Sequence, residues 1–308
     1  MTEQIEISVI IPCRNEEENV EAIAAAVINE LKKETTDYEI IIIDNGSSDR
    51  TVELARGLCA ANPRIKLIVN NKDYGQLRSP THAIYQTRGR AVIGICADFQ
   101  DPPDMIGDFI RRWRAGAKIV LGVRAAEASP LHVKLARWLG YRLLDWVADH
   151  PIITGATGFG LYDRAVVDAL SAWNEPEPFF RGMLVESGFP IETIPYRRPP
   201  RERGATNNTF FTLLAFSLSG LSGSSKGLLR VPLYFAAVLF LVSFLTLLAA
   251  AVVAALGHAP WGLLAAFGIE FLATWLFFFL GLIGDQVRLI SERTRHAPLV
   301  IEAERVNF

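Results

Sequence analysis

The chain has 308 residues, with 31 Lys and Arg against 33 Asp and Glu and a formal net charge of −2, so its charge balance gives no support for binding nucleic acid. Cys13, Cys59 and Cys96 are scattered without CxxC spacing, and buried free thiols in a reducing compartment are the expectation. Thr2 to Glu6 is polar and acidic and does not read as a signal peptide.

Ile7 to Ile11 is a short apolar run ending at Pro12, a predicted first strand, and Cys13-Arg14-Asn15-Glu16 follows as a polar loop. Glu17 to Lys33 has helical spacing, with Val20, Ile23, Ala24, Val27, Ile28 and Leu31 on one side. Tyr38 to Ile43 predicts a buried strand that stops at the dense turn signal Asp44 to Asp49. Arg50 to Ala61 predicts a helix and Ile65 to Val69 a strand, and a helix through Ala83 and Thr87 follows. Ala91 to Cys96 reads as another buried strand. It breaks into Asp98, Gln100 and Asp101, then Pro102 and Pro103, with a helical pattern from near Asp104. Strands alternating with helices of this length predict a parallel sheet covered on both faces.

Lys118 to Val123 predicts a further strand, ending at Arg124. Pro130 to Val147 predicts a helix that carries Lys134, Arg137 and Arg142. The Gly-rich stretch Thr154 to Leu161 is expected to return to the sheet. Ala165 to Trp173 and Phe180 to Glu186 read as short helices, and Ile191 to Pro195 as the last strand.

Three polar loops, Arg14–Glu16, Asp44–Asp49 and Asp98–Asp101, stand at carboxyl ends of predicted strands, where open α/β sheets gather their ligands, and they should converge. No GxGxxG follows the first strand and no GxxxxGK[ST] occurs, which disfavours a dinucleotide oxidoreductase and a P-loop NTPase. Two carboxylates in one loop suit a hard divalent cation and the phosphates it carries. Tyr196 to Gly204 places four arginines beside prolines. Arginine's planar fork suits phosphate, and a basic patch beside a membrane would also attract anionic lipid.

Val231 to Leu256 has no charged residue, and Trp261 to Gly284 has only Glu270. Each is long enough to span a hydrocarbon core, which takes about 20 residues. The connector at 257–260 holds no Lys or Arg. Lys226 and Arg230 precede the pair, and Arg288, Arg293 and Arg295 follow it, so the positive-inside rule predicts both termini in the cytoplasm. Gly204 to Ser225 is uncharged but rich in Ser and Asn, with Phe210, Phe211, Leu214, Leu218 and Leu221 roughly on one side. It reads as an interfacial amphipathic helix. Glu270 inside a span suggests a helix or subunit contact.

These residues resemble a known family. SVIIPCRNEEENV (8–20), IIIIDNGSSDRT (40–51), NKDYGQ (71–76), ADFQDPPD (97–104), LGVR (121–124), GFGLYDR (158–164), PYRRPPRERG (195–204), the hairpin and a tail ending in ERVNF together resemble the membrane-anchored family 2 glycosyltransferases that load a sugar onto polyprenyl phosphate. The dolichyl-phosphate mannose synthases and bacterial undecaprenyl-phosphate glucosyltransferases belong to that group. The resemblance implies an α/β, GT-A (Rossmann-like), mostly parallel sheet domain over 1–203. A juxtamembrane amphipathic helix (204–230), two transmembrane helices (about 231–256 and 261–284) and a cytosolic tail (285–308) would follow.

It further implies an integral protein of the bacterial inner membrane and a homo-oligomer, a tetramer by the same resemblance. Its substrates would be a nucleotide-diphosphate sugar and polyprenyl phosphate. Pro12, Arg14, Glu16, Asp44, Gln76 and Asp98 would line the nucleotide-sugar site, with Asp44 reading the base. Asp98 and Gln100 would hold Mg²⁺ or Mn²⁺. Asp98, Asp101, Arg124, Arg201 and Arg203 would carry catalysis. Arg124, Lys134, Arg137, Arg201 and Arg203 would meet the lipid phosphate.

Two departures stand out. The family usually reads Asp-Ala-Asp where this chain has Cys96-Ala97-Asp98, and a soft thiol suits Mg²⁺ poorly, so Cys96 is expected to be a packing residue. The acidic residues that many relatives carry before GFGLYDR are replaced by Thr154-Gly155-Ala156-Thr157. Two other readings stay open: transfer to another membrane acceptor, for which Asp101 would be the base, and a non-catalytic scaffold of the same fold.

Overall fold

The structure is a computed structural model. It describes residues 5–124, 153, 155–197 and 298–308, together with single helical positions between 265 and 294. The spans at 231–256 and 261–284 lie wholly or mostly outside the described residues. The interfacial helix, Lys134, Arg137, Arg201, Arg203 and Glu270 lie wholly outside them. Among the described residues no helix is long and apolar enough to cross a membrane. The helical positions Leu272, Phe279 and Ile283 within the second stretch carry exposed side chains.

Strands β1 (Ile7–Cys13), β2 (Tyr38–Asp44), β3 (Ile65–Asn70) and β4 (Ala91–Gly94) alternate with helices α1 (Val20–Glu34), α2 (Thr51–Ala61) and α3 (Gly75–Tyr85). A 3₁₀ turn at Pro103–Met105 leads into α4 (Ile106–Arg114). Then come β5 (Ile119–Arg124), β6 (Ala156–Asp163), α5 (Arg164–Ser171), α6 (Phe180–Glu186), β7 (Ile191–Tyr196) and β8 (Glu302–Val306). The strands form one sheet in the order β7-β5-β6-β4-β1-β2-β3-β8.

The isoleucine run of β2 shows why the sheet is covered on both sides. Side chains alternate across a strand, so Ile40 and Ile42 join one core with Val20, Ile23, Val27, Leu31, Phe109 and Ile110. Ile41 and Ile43 join another with Ile84, Val166, Leu170, Phe180 and Leu184. All four are fully buried, and each such side chain contributes about 1.5–3 kcal/mol of hydrophobic stabilisation.

The expected parallel sheet needs two corrections. β1, β2, β3 and β4 pair in parallel, as do β5 and β7, but β6 runs antiparallel to both β4 and β5. Ile191–Tyr196 is also not the last strand, because β8 lies antiparallel along β3. The α/β domain therefore takes in the end of the chain as well as its first part. Asn307 fixes that end by donating from Nδ2 to Cys59 O and Ile65 O, both at 2.8 Å. Several ends shift as well. β4 stops at Gly94 rather than Cys96, and α3 stops before Thr87.

Candidate functional site

A cavity of about 440 Å³ opens at the carboxyl ends of β1 and β4. Its walls include Pro12, Arg14, Glu16, Gln76, Asp98, Gln100 and Asp101. Most of the predicted donor-site residues are thus brought together from three separate stretches of the chain.

The first two loops are laced to each other. Asn15 has a left-handed backbone (φ 54°), a conformation asparagine tolerates better than most residues. Its Oδ1 accepts from Ser48 N at 2.8 Å, and its own N–H donates to Ser47 Oγ at 2.9 Å. Glu16 N–H donates to Thr51 Oγ1 at 2.8 Å. Gly46 has φ +73°, and a Cβ there would sit 2.9 Å from Asp73 N and from Lys72 C. Only glycine lets the 44–49 loop lie flush on the loop after β3.

That loop supplies residues the sequence reading passed over. Asn45 Nδ2 donates to Asp73 Oδ1 at 2.6 Å, while Asn45 Oδ1 accepts from Asn70 Nδ2 at 3.2 Å and from Tyr74 N at 2.9 Å. Asp73 in turn pairs with Arg14 at 2.5 Å. The signal was present in the polar run at 70–76, but which of its members face the cavity depends on how the loops dock.

Asp44 itself is buried and is not on the cavity wall. Its Oδ2 accepts from Gly46 N and Ser47 N, both at 3.0 Å. Its Oδ1 is buried without a hydrogen bond.

The acidic loop after β4 is tight. Phe99 has φ 57°, an outlier for a bulky residue. Asp98 is half-buried, and its Oδ1 accepts from Gln100 N at 3.2 Å. Asp101 is only 3% exposed. Its Oδ2 accepts from Cys96 N at 3.2 Å and its Oδ1 from the Tyr196 hydroxyl at 3.0 Å. Burial pushes its carboxyl above the usual value, with the nearby Asp98 charge adding to the effect and the bonds from Cys96 and Tyr196 opposing it. Burial and the Asp101 charge likewise push the Tyr196 phenol up to about 12.

Cys96 is corrected by the structure. It is exposed and lines the cavity, because β4 ends two residues before it and the chain turns there. The other two cysteines are buried as expected. Burial raises the Cys13 thiol well above its ordinary value and the Cys59 thiol to about 11.

The facing wall comes from β6 and α6, through Gly158, Phe159, Phe179 and Arg181. Arg181 donates to Ala156 O at 2.7 Å and stacks over Phe179 at 5.1 Å. It was not singled out from the sequence, where it stands alone in an apolar helix. Arg124 is half-buried at the end of β5, in register with Tyr196, and is not on the cavity wall.

Among the described residues no group of three or more His, Cys, Asp or Glu is placed to hold a metal. With both Asp101 oxygens bonded, Asp98 is the carboxylate of this loop left to face a cation. A single carboxylate of this kind would fit a Mg²⁺ ion carried mainly by substrate phosphates, which takes one or two protein carboxylates.

The pattern described as "Glycosyl transferase family 2" matches residues 8–170, more than half of the chain. An uncharacterized glycosyltransferase of Bacillus subtilis, YkcC, is 27% identical over 98% of this chain and 94% of its own. The bactoprenol glucosyl transferase of Shigella phage SfX is 28% identical over 78% of this chain and 79% of its own. Among solved structures, glucosyl-3-phosphoglycerate synthase from Mycobacterium tuberculosis, in complex with Mn²⁺ and UDP-glucose, aligns at 17% identity over 71% of this chain and 77% of that one, with a TM-score of 0.47.

Proposed function

The chain belongs to glycosyl transferase family 2, and on that premise we propose that it transfers a hexosyl group, with inversion, from a nucleotide-diphosphate sugar to polyprenyl phosphate. The observation that carries this reading is the convergence of Arg14, Glu16, Gln76, Asp98 and Gln100 on one cavity. The acceptor class is supported by the likeness to a bactoprenol glucosyl transferase over 78% of the chain.

The donor's nucleoside lies against the loops at Pro12–Glu16 and Asp44–Asp49. Asp44, buried behind the cavity wall, holds the 44–49 loop in place by accepting from Gly46 N and Ser47 N. Arg14 is held in place by Asp73. Asp98, with Gln100 beside it, would hold a Mg²⁺ or Mn²⁺ ion, whose charge would stabilise the leaving diphosphate. A dedicated base is less necessary than for an alcohol acceptor, because the acceptor phosphate, with a second pKa of about 6, is already largely ionised near neutrality. Cationic side chains orient it, and Arg124, Lys134, Arg137, Arg201 and Arg203 are assigned to that task.

The long apolar stretches at 231–256 and 261–284, the second interrupted only by Glu270, support two membrane spans, with the catalytic domain and both termini in the cytoplasm. A reporter fused after Phe308 that faced outward would overturn this topology.

The activity test incubates the purified full chain with polyprenyl phosphate and a panel of UDP-, GDP- and dTDP-sugars, with and without EDTA. One donor should give a lipid-linked sugar, and EDTA should abolish it. Asp98→Ala should lower the rate by about 10²-fold or more, the scale seen when one transition-state electrostatic contact is removed. Absence of lipid-linked product from every donor would sink the reading.

A further inference from the structure

We infer that the hydrogen bond from Tyr196 to Asp101 is a positioning link: it sets the loop that presents Asp98 to the donor against the end of β7, where the arginine-rich segment begins. The inference rests on the proposed transfer reaction for its consequence, but its geometry stands independently.

Three observations carry it. First, the 96–101 loop is strained. Phe99 sits in the left-handed region at φ 57°, a state that persists only where the surroundings hold it. Second, the two oxygens of Asp101 act as the clamp. One accepts from Cys96 N–H at the start of the loop, and the other accepts from Tyr196 on β7. Asp101 thereby closes its own loop and ties it to a strand 95 residues further along the chain. Third, the tie is buried and rigidly backed. Asp101 is 3% and Tyr196 6% exposed. The Tyr196 ring meets Phe159 edge-on at 5.5 Å, and Phe159 meets Phe109 at 4.9 Å. Gly122 gives the rings room, since a Cβ there would lie 2.8 Å from Phe159 Cδ1 and 3.2 Å from Tyr196 Cε1.

With both oxygens engaged inside the wall, Asp101 is a positioning residue rather than a group that touches the donor. Asp98, three residues away on the clamped loop, takes its place from that link. Tyr196 is followed directly by Arg197 and Arg198, with Arg201 and Arg203 just beyond the two prolines, so one buried bond joins the donor-side carboxylate to the beginning of the segment assigned to the acceptor.

Cys96 provides a readout that needs no substrate, because it is exposed on this loop while Cys13 and Cys59 are buried. The full chain is labelled with the disulfide reagent dithionitrobenzoate, and Cys96→Ser identifies the fast phase. Tyr196→Phe keeps the ring and removes only the hydroxyl. It should change the Cys96 labelling rate about three- to tenfold, leave Cys13 and Cys59 protected, and lower kcat about tenfold with a smaller change in donor KM, as expected for a lost hydrogen bond that acts on geometry. In an Asp101→Asn background the same substitution should add little. If Tyr196→Phe does not fold, Asp101→Asn read by the same labelling decides the question.

Unchanged Cys96 labelling in Tyr196→Phe overturns the link even if the wild-type chain transfers sugar. A changed labelling rate in a chain that transfers no sugar upholds the link and rejects the proposed reaction instead.

Discussion

Two buried carboxylates at opposite ends of the same sheet show how differently one fold treats charge. Glu39, near the amino ends of the parallel strands, is 1% exposed, and Asp101 at the cavity is 3% exposed. Lys66 Nζ donates to Glu39 Oε2 at 2.5 Å, while Ser8 Oγ and Arg88 N both donate to Oε1 at 2.6 Å. Burial alone would raise the Glu39 pKa, but these bonds and the Lys66 charge outweigh it and leave it below the ordinary value. Asp101 receives neutral donors only, from Tyr196 and Cys96, and faces the Asp98 charge, so burial prevails and its pKa rises. The far end is a charge-compensated joint between β1, β2 and β3. At the cavity end the bonds to Asp101 come from neutral donors, while Arg14 and Arg181 on the same wall are bound to Asp73 and to Ala156 O.

The comparison can be broken most severely at Lys66. Lys66→Met leaves Glu39 buried without its cation and should cost about 3–5 kcal/mol in a urea titration, the scale for breaking a buried pair from one side. A loss under about 1 kcal/mol would mean that water reaches Glu39 and that the two ends are not so different. At the cavity end, Asn45→Ala removes the hub that joins Asp73, Asn70 and Tyr74. It should cost about 1–3 kcal/mol and weaken nucleotide binding by calorimetry, because Arg14 depends on Asp73 for its position.

The pH dependences should have opposite signs. The folded pKa of Glu39 is depressed, so its contribution is present above the unfolded value of 4.5 and is lost as pH falls through the lowered folded value. Glu39→Gln should flatten the acid side of the stability profile. The folded pKa of Asp101 is raised from 3.8, so the native state is favoured while the group stays protonated, and that advantage is lost as pH rises through the folded pKa. Asp101→Asn should remove a slope of the opposite sign above 3.8. Urea midpoints measured for both variants between about pH 3 and pH 7 would check the pair; slopes of the same sign would refute the contrast.

The smallest effect is expected at the surface. The Arg56–Glu304 pair that joins α2 to β8 has 52% and 34% exposed side chains, so Arg56→Ala should change stability by less than about 1 kcal/mol. A larger loss would show that this ion pair, rather than the β3–β8 ladder and Asn307, anchors the end of the chain.

Periodicity and punctuation alone specified much of this protein. The alternation of apolar runs with helical patterns announced the α/β sheet, because strands buried on both faces must be continuously apolar, as Ile40 to Ile43 are. The polar residues that break those runs marked Arg14, Glu16, Asp98 and Gln100, which the fold does bring to one cavity. Three features were decided only by tertiary structure. Five residues, Glu302 to Val306, carry too weak a local signal to be read as a strand and become one because the edge of β3 offers unpaired backbone groups. Cys96 reads as the end of an apolar strand, yet it is exposed because β4 ends at Gly94 and the chain turns into the acidic loop beyond Ile95. The tie between Asp101 and Tyr196 spans 95 residues and is absent from any local pattern, since a hydrogen bond across strands depends on where the chain has been brought and not on what precedes it in sequence.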